Sequence, residues 1–349
     1  MSISFVQING LLIRIASGLI AALVFGPFAI WLARRMMLVD LPGCAAHKLH
    51  HSPIPLAGGI NLALSLILLV PLLHLWHKPI LALLIAAAII FLFGLLDDAK
   101  GLSAPEKFTG QITASIFLIA SGLSIHFFRN FSGTYLNMNI STALDWGITI
   151  FWVVGISNSF NLVDSMDGLS IGIAEIAFAF FMGMAVVTQH SLMASFCAVC
   201  LGICIGLFYF NKTPAFLFLG DSGAQTLGVI IAAVAIICSP NTPSTSCWFA
   251  PIMVLGIPIF DTTLVVVSRI RRRKPVFKAE CNHTYHRLVA LGIDPNRAVA
   301  TIHLVSLALS FLAFLALFMT QWLVYIVFGL VACTGIVALV YLERMHPQW

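Results

Sequence analysis

Residues 89–102 read IIFLFGLLDDAKGL, an apolar run that ends on two adjacent carboxylates, Asp97 and Asp98. Placing one charge in hydrocarbon costs about 2.5–3.5 kcal/mol on insertion scales, and two neighbouring carboxylates also repel each other. The pattern therefore predicts a membrane-spanning helix whose end reaches an aqueous boundary. Two charges at such a boundary point to a function at that end of the helix.

The composition of the whole chain agrees with this reading. Of its 349 residues, 60% are hydrophobic and only 9% are charged, and the mean hydropathy is +1.03. A soluble domain is about 25% charged, so this chain cannot bury its apolar surface in one aqueous core. The apolar runs are continuous rather than alternating, which favours helices over a membrane β-barrel. We therefore predict an all-α polytopic membrane protein.

The apolar runs predict eleven transmembrane helices, which we assign to a single domain covering residues 1–349. Each run approaches the roughly 20 residues that a helix needs to cross a hydrocarbon core of about 30 Å. The predicted spans are 11–33, 58–76, 80–96, 109–126, 144–161, 168–189, 191–210, 222–239, 247–268, 298–319 and 321–342.

The distribution of Lys and Arg predicts the orientation of the bundle. With the N-terminus outside and the C-terminus cytoplasmic, all 18 basic residues except Arg14, Lys78 and Arg129 lie on the cytoplasmic side, as the positive-inside rule requires. The first span has no small-residue cleavage signal, and we predict that it is retained. Because the net charge of +5 is mostly a topology signal, we predict no nucleic-acid partner.

The acidic residues follow the same asymmetry. All 13 except Asp145, Glu175 and Asp261 fall in the inner loops or at the inner ends of spans. A transporter is expected to place ionisable groups near the membrane midplane, so this distribution favours a site that faces the cytoplasm. A lipid or anion transporter stays an alternative, for which Glu175 and Asp261 would matter most. A catalytically idle scaffold is a second alternative.

Five cytoplasmic loops carry the candidate site. They are 34–57, 97–108, 161–167, 211–221 and 269–297. Three of these loops contain the aspartates Asp97, Asp98, Asp164, Asp167 and Asp221, bracketed by glycines. Five negative charges in one patch would repel without a cation, and Mg²⁺ typically uses one or two carboxylates together with substrate phosphates. The cluster therefore predicts phosphate chemistry.

Local spacing within two of these loops gives further expectations. Asp164 and Asp167 are three residues apart, so they share a face if that segment is helical. Asp221 is expected in a Gly-Asp-Ser-Gly turn just before a helix. Each single aspartate at a span end is also compatible with a helix cap or an interfacial anchor.

The fifth loop is the most basic and contains His283, His286 and Arg287. Anchoring to anionic lipid headgroups explains the RIRRRK cluster at 269–274 but not the H-x-x-H-R-L spacing. A zinc site that combines these histidines with Cys281 lacks a paired C-x-x-C. The reading that fits best is an anion clamp, which grips a diphosphate opposite the Mg²⁺.

In order, the five loops resemble those of the polyprenyl-phosphate N-acetylhexosamine-1-phosphate transferases. HKLHHSPIPLAGG resembles the family's R-K-x-H-x-x-P-x-P-R-x-G-G loop, and GLLDDAKGLSAPEKFTGQ its Asp-Asp motif followed by K-x-x-x-Q. NLVDSMDGLS resembles N-x-x-D-G-x-D-G-L, and FLGDSGAQTLG resembles G-D-S-G-S. NHTYHRL resembles the H-x-H-H-R-L loop of the branch that uses UDP-N-acetylglucosamine.

The resemblance implies a role for individual residues of this chain. Asp97 and Asp98 would lie at the lipid phosphate, and Asp164 and Asp167 on the nucleotide–metal side. The implied site comprises Asp97, Asp98, Asp164 and Asp167 as catalytic residues, Asp221 and Asp164 as ligands of Mg²⁺ (or Mn²⁺), and Lys48, His50, Lys107, Asn161, His283, His286 and Arg287 as substrate-binding residues.

The resemblance also implies a reaction and a location. A sugar-1-phosphate, N-acetylglucosamine-1-phosphate above all, would pass from a UDP-sugar to undecaprenyl or another polyprenyl phosphate, with release of UMP. This would be the first membrane step of a cell-envelope glycan of the O-antigen, common-antigen or teichoic-acid type, in the bacterial inner membrane. A homodimer is among the possible assemblies. UDP-N-acetylmuramyl pentapeptide and a 6-deoxy-N-acetylhexosamine donor are alternatives for the sugar.

Four departures from the family pattern bear on the identity of the sugar. His47 and Leu56 stand at positions where the family has Arg, Ser165 replaces a Gly, and Tyr285 replaces the middle His of the last loop. For the reaction itself we expect direct attack by the lipid phosphate, assisted by Asp97 or Asp98 as a base. The alternative is a covalent aspartyl–phosphosugar intermediate.

Overall fold

A computed structural model describes residues 5–41, 52–129, 137–239, 248–273 and 283–345. This part of the chain is helical apart from its loops and one short hairpin. The helices are α1 (Phe5–Arg35), α2 (Gly58–Leu72), α3 (Lys78–Lys100), α4 (Ala104–Ala120), α5 (Met138–Val163), α6 (Leu169–Val187), α7 (Ser191–Asn211), α8 (Gly220–Cys238), α9 (Phe249–Val254), α10 (Gly256–Arg271), α11 (Thr284–Ala290), α12 (Pro295–Ala316) and α13 (Gln321–Met345). The all-α prediction is confirmed for these residues.

Among the described residues, eight helices are long and apolar enough to cross a membrane. The other three predicted spans correspond to α2 with 15 residues, to α4 with 17 residues, and to the pair α9 and α10. The chain is therefore a multi-pass membrane protein. The count of eleven and the orientation of the termini stay predictions.

The predicted continuous span 247–268 is wrong in one respect, because the helix is broken within it. Helix α9 ends at Val254 and α10 begins at Gly256, with Leu255 between them. Pro258 lies in the first turn of α10 and has no backbone N–H to bond a carbonyl of the preceding turn. Proline at the start of a helix is tolerated, whereas in the middle of one it interrupts the hydrogen-bond ladder.

Two short antiparallel strands pair within the first predicted inner loop, and hydrogen bonds next to them reach the fourth. Strands β1 (Val39–Asp40) and β2 (Ile54–Pro55) pair with Val39 opposite Pro55. Beyond β2, the amide of Phe218 donates to the carbonyl of Pro55 at 3.0 Å, and the amide of Ala57 donates to the carbonyl of Phe218 at 3.1 Å. The ends of the first loop are thereby fixed beside the segment that leads into α8.

Helix α8 is the central element of the bundle. Every residue from 222 to 236 is buried, and α8 packs against α2, α3, α5 and α6. A network of side-chain amides also crosses it: the Nε2 atom of Gln111 on α4 donates to Gln225 on α8 at 3.0 Å and to Asn158 on α5 at 3.1 Å. Hydrogen-bonded amides are a favourable way to hold helices together in an apolar interior.

Small residues allow α1 and α7 to approach closely. A Cβ atom added at Gly202 on α7 would collide with the carbonyl oxygen of Ile15 on α1, and one added at Gly18 on α1 would collide with that of Val199 on α7. Close backbone approach at glycines is a common way to pack transmembrane helices, because it maximises van der Waals contact where no hydrophobic effect drives association.

We expect Gly202→Ala to destabilise the protein by about 1–3 kcal/mol, because the added methyl group overpacks the α1–α7 contact. Thermal unfolding in detergent measures the effect as a lowered Tm. Gly329→Ala in α13 is the matched control, since a Cβ there meets nothing within 4 Å and Ala favours a helix more than Gly does. Equal Tm values for the two variants would contradict the packing argument.

Candidate active site

The first turn of α8 is capped by a carboxylate that belongs to another helix. Asp98, near the end of α3, accepts the backbone N–H of Asp221 at 2.7 Å on Oδ1 and that of Ser222 at 3.1 Å on Oδ2. The first N–H groups of a helix have no partner within it, and a negative charge there is favoured by the helix dipole. Asp221 therefore lies in the first turn of the helix, not in a turn before it as the sequence suggested.

Glycines make this cap sterically possible. A Cβ at Gly94 of α3 would come within 2.5 Å of the Cα of Ser222 and 2.9 Å of the carbonyl carbon of Asp221. Gly220 has φ +69°, and a Cβ there would meet Asp98 Oδ2 at 2.7 Å. The positive φ and the close approach both require glycine at these positions.

Lys107 connects two of the aspartates. Its ammonium forms an ion pair with Asp97 and lies 2.7 Å from Oδ2 of Asp221. Asp97 is 7% exposed and accepts the amide of Leu102 at 2.7 Å. Asn161 adds a side-chain hydrogen bond to Asp221. The residues thus come from α3, α4, α5 and α8, and they meet where these helices begin or end.

Asp164 and Asp167 lie in the turn between α5 and α6. The segment is not helical, so the condition under which the two residues would share a helix face is not met. Helix α5 ends at Val163, and Gly168 takes a φ of +74° to start α6. The Gly168 amide donates to Asn211 of α7 at 2.9 Å, which holds the chain in this turn.

The two carboxylates of this turn are close to the others. Asp167 accepts the amide of Ala215 at 3.3 Å. Burial, followed by the charges of Asp221, Asp167 and Asp98, raises the pKa of Asp164 to about 8. A carboxylate surrounded by like charges in this way binds a proton or a metal cation readily.

The donor set suits a hard cation such as Mg²⁺, which prefers oxygen ligands. Among the described residues, the carboxylates outnumber the ammonium groups that pair with them, since Lys107 bridges Asp97 and Asp221. Within the described residues, no group of three His, Cys, Asp or Glu side chains converges as in a closed metal site. Mg²⁺ does not need such a cage, because it usually takes one or two carboxylates and completes its shell with water and substrate phosphates.

The fifth loop contributes His283 and His286, which lie next to one another. The Nδ1 atom of His283 is 2.8 Å from Oδ2 of Asp261 on α10, and the amide of Thr284 donates to Oδ1 of the same carboxylate at 2.6 Å. The rings of His283 and His286 are 5.8 Å apart. Asp261 thus both caps the short helix α11 and contacts the first histidine of the loop.

Tyr285 joins the fifth loop to the turn that carries Asp164 and Asp167. It is 5% exposed, and burial, followed by the charges of Asp167 and Asp294, raises the pKa of its hydroxyl. Together with His283 and Ser165 it lines a small cleft between the α5–α6 turn and α10. The described parts of all five predicted loops therefore meet at one end of the bundle.

Arg287 is held by the last described helix. Its Nη1 donates to Oε2 of Glu343 at 2.8 Å and to the carbonyl of Leu342 at 2.9 Å, and the residue is 2% exposed. Glu343 also pairs with Arg271 at 3.3 Å and with Arg272 at 3.7 Å. One buried carboxylate of α13 therefore gathers three arginines around the fifth loop.

Comparison with known proteins gives a consistent result. The family model described as Glycosyl transferase family 4 matches residues 80–239. A probable undecaprenyl-phosphate N-acetylglucosaminyl 1-phosphate transferase of Bacillus subtilis is 30% identical over 92% of this chain and 89% of its own length. The chain belongs to glycosyl transferase family 4. It is an enzyme, a phosphoglycosyl transferase.

Two further relatives are similar over nearly the same extent of the chain. The phospho-N-acetylmuramoyl-pentapeptide-transferases of Bacillus thuringiensis (strain Al Hakam) and Bacillus cereus (strain AH187) are each 29% identical over 90% of this chain and 99% of their own length. The resemblance seen in the loop motifs is therefore confirmed for the family, and two of its branches are similar to this chain to almost the same degree.

The predicted site residues fall into three groups in this family member. Those that come together at the ends of α3, α4, α5 and α8 are Asp97, Asp98, Lys107, Asn161, Asp164, Asp167 and Asp221. His283, His286 and Arg287 lie in the neighbouring fifth loop, where Arg287 binds Glu343. Lys48 and His50 lie outside the described residues.

Sequence reasoning missed the residues that hold the predicted ones in place. Asp261 and Glu343 belong to no quoted motif, yet they bind His283 and Arg287. Gly94 begins the quoted Asp-Asp motif but was given no role there, and it makes room for the cap of α8. A signal did exist for Asp261, because an ionisable residue inside an apolar span is costly and commonly functional. The partner of that residue could not be read from spacing.

We expect Gly94→Ala to reduce transferase activity by at least about tenfold, because the added methyl group separates α3 from the first turn of α8 and so moves Asp98 and Asp221 apart. Turnover of the purified enzyme measures this. Gly155→Ala in α5, where a Cβ meets nothing within 4 Å, is the control and should keep wild-type activity. Full activity of the Gly94 variant would refute the close-contact argument.

A second prediction concerns pH and Asp164. Its folded pKa of about 8 lies above the ordinary value of 3.8, so the folded state binds the proton more tightly than the unfolded state. The wild type therefore loses stability as the pH rises from about 4 to about 8, by at most about 1.4 kcal/mol per pH unit. Asp164→Asn removes this titration.

The Tm of Asp164→Asn should rise relative to wild type between pH about 5.5 and about 8 and then level off. Thermal unfolding in detergent with a chelator measures the difference without bound divalent cations. Tm values that run parallel for the two proteins across this range would show that Asp164 is not a high-pKa group.

Proposed function

We propose that this chain transfers N-acetylglucosamine-1-phosphate from UDP-N-acetylglucosamine to undecaprenyl phosphate at the cytoplasmic face of the bacterial inner membrane, with release of UMP. The observation that carries the proposal is the cluster in which Lys107 bridges Asp97 and Asp221, with Asp98 capping the helix that carries Asp221. Such a cluster of carboxylates around one ammonium, at the end of membrane helices, suits phosphate groups that arrive from both water and lipid.

The position of the cluster explains how two unlike substrates reach one site. A UDP-sugar is water-soluble, whereas the phosphate of a polyprenyl lipid stays at the bilayer surface. The bundle places its carboxylates at helix ends, where both phosphates are accessible. The positive-inside distribution of Lys and Arg supports the cytoplasm as the side on which this occurs.

The hydrogen bonds favour Asp97 over Asp98 as the base. Both oxygens of Asp98 are occupied by the amides of Asp221 and Ser222, so protonation would weaken the cap of α8. Asp97 has one oxygen bound by the amide of Leu102, while the other is paired with the partly exposed Lys107. An incoming phosphate can draw Lys107 away and leave that oxygen to accept a proton.

Direct displacement then balances without a further reactant. An oxygen of the lipid phosphate forms a bond to the β-phosphorus of the UDP-sugar, and the bond from that phosphorus to the oxygen bridging to the α-phosphorus breaks. UMP leaves with the bridging oxygen, and any proton on the attacking phosphate passes to Asp97. Lys107 lies where it can stabilise the charge that develops on the transferring group.

Mg²⁺, with Mn²⁺ as the alternative, is the cofactor that we propose, held by Asp221 and Asp164. Burial, followed by repulsion from the neighbouring carboxylates, raises the pKa of Asp164, and this repulsion supports a shared cation there. The ion would supply positive charge to neutralise the phosphates. Asn161, which hydrogen-bonds to Asp221, and Asp167, whose charge acts on Asp164, would orient the donor.

The last loop favours N-acetylglucosamine as the sugar. In NHTYHRL, Thr284 follows the first histidine, as in the H-x-H-H-R-L loop that this segment resembles. The muramyl-pentapeptide branch of the family that the loops resemble has three consecutive histidines there instead. The 29% identity to phospho-N-acetylmuramoyl-pentapeptide-transferases keeps UDP-N-acetylmuramyl pentapeptide as the second candidate donor. A 6-deoxy-N-acetylhexosamine donor, the type of glycan and a homodimer stay predictions.

The deciding experiment measures UMP release by the detergent-purified enzyme with Mg²⁺, undecaprenyl phosphate and one UDP-sugar at a time. We expect turnover with UDP-N-acetylglucosamine and at least about tenfold less with UDP-N-acetylmuramyl pentapeptide. Asp221→Asn should lose about 100-fold or more at limiting Mg²⁺. Asp145→Asn serves as the control, because Asp145 is a buried carboxylate that binds the backbone of residues 128 and 129 instead.

Three outcomes would count against parts of this proposal. Wild-type activity of Asp221→Asn at limiting Mg²⁺ would remove Asp221 as a metal ligand. Exchange of label between UMP and UDP-sugar in the absence of lipid would replace direct attack by a covalent intermediate. Higher turnover with the pentapeptide donor would move the chain to the other branch.

A further inference from the structure

We propose that Asp261 is a positioning residue for catalysis: it holds the ring of His283 so that Nε2 is the nitrogen presented to the UDP-sugar diphosphate. The inference rests on the proposed function, because it assigns the donor as what His283 contacts. It concerns a residue that lies in an apolar helix and outside every loop motif of the chain.

The first step is the burial of the carboxylate. Asp261 is 3% exposed and lies in the second turn of α10, within a stretch of apolar residues. A buried carboxylate is costly unless each oxygen is hydrogen-bonded. Both are: Oδ2 is 2.8 Å from His283 Nδ1, and Oδ1 is 2.6 Å from the amide of Thr284. Two adjacent residues of the fifth loop therefore account for the presence of this charge.

The second step is the effect on the histidine. A carboxylate at Nδ1 keeps the proton on that nitrogen, and this selects the tautomer and the rotation of the ring. Nε2, on the far side of the ring, is then the atom left to contact another molecule. The amide of Thr284 donates to the same carboxylate and fixes the backbone next to His283. Both the ring and the backbone of His283 are therefore restrained.

The third step connects the restrained ring with the acidic cluster. His283 shares a cleft with Ser165, which follows Asp164 directly. Two residues further along the loop, Tyr285 experiences the charge of Asp167. The ring therefore lies beside the turn that we assign to the nucleotide–metal side. A ring held there with Nε2 available can bind the diphosphate opposite the carboxylates.

The test is Asp261→Asn, studied as the full-length enzyme in detergent. The Asn oxygen can still accept from Thr284, so α11 keeps its cap, but the amide nitrogen cannot accept the Nδ1 proton. We expect kcat/KM for the UDP-sugar to fall about 10- to 100-fold, the range found for residues that orient a functional histidine. The KM for undecaprenyl phosphate should not change, because Asp261 acts only on the donor side.

A double-mutant cycle separates positioning from general stability. His283→Asn should show a loss similar to that of Asp261→Asn, and the double variant should lose no more than either single variant. Losses that multiply, or an Asp261→Asn enzyme that keeps more than half of wild-type kcat/KM, would overturn the inference. Asp145→Asn, which removes another buried carboxylate that binds backbone amides, should retain activity.

Two further measurements keep the inference testable. If Asp261→Asn does not fold, Asp261→Glu replaces it, and the one-methylene shift of the carboxylate should lower kcat/KM for the donor without changing the KM for the lipid. If the wild type turns over no UDP-sugar, the proposed function fails. The role of Asp261 can then be tested by measuring the tautomer of His283 with ¹⁵N NMR, with His283→Asn used to assign its signals. Protonation at Nδ1 that is lost in Asp261→Asn supports positioning, and an unchanged spectrum refutes it.

Discussion

The interaction on which the site depends is the capping of α8 by Asp98 of α3. It joins two helices that are separated by more than 100 residues in sequence, and it places Asp221 beside Lys107 and Asp97. The contact requires that the two backbones approach closely, which Gly94 and Gly220 permit. Asp98, which the resemblance implies is a catalytic residue, is thus also the structural link between the two halves of the acidic cluster.

The sequence predicted the helices and the loops well, because both follow from local patterns. An apolar run identifies a span, and adjacent aspartates such as Asp97 and Asp98 identify its end. What it could not predict were contacts between distant segments: Asp261 with His283, Glu343 with Arg287, and Asp98 with the start of α8. Nor could it place the break at Leu255, since a proline near the start of a helix and one inside a span look alike in sequence.

The aspartates of the cluster and the residues of the fifth loop are held in place by different interactions in this enzyme. The aspartates of the cluster are fixed by backbone amides and by the ammonium of Lys107, whereas two of the cationic or polar residues of the fifth loop, His283 and Arg287, are each held by a single buried carboxylate. These carboxylates come from α10 and α13, not from the cluster itself. The fifth loop can therefore be adjusted by changes in the membrane helices that leave the aspartates untouched.

The pairing of Arg287 with Glu343 has a consequence for biogenesis. Every predicted catalytic aspartate has been synthesised by the time α8 leaves the ribosome, but Glu343 belongs to the last described helix. Until α13 is inserted, the guanidinium of Arg287 lacks the carboxylate that it binds in the folded chain, and the arginines at the end of α10 lack it too. A nascent chain thus contains all the aspartates of the acidic cluster well before Arg287 can bind its carboxylate partner.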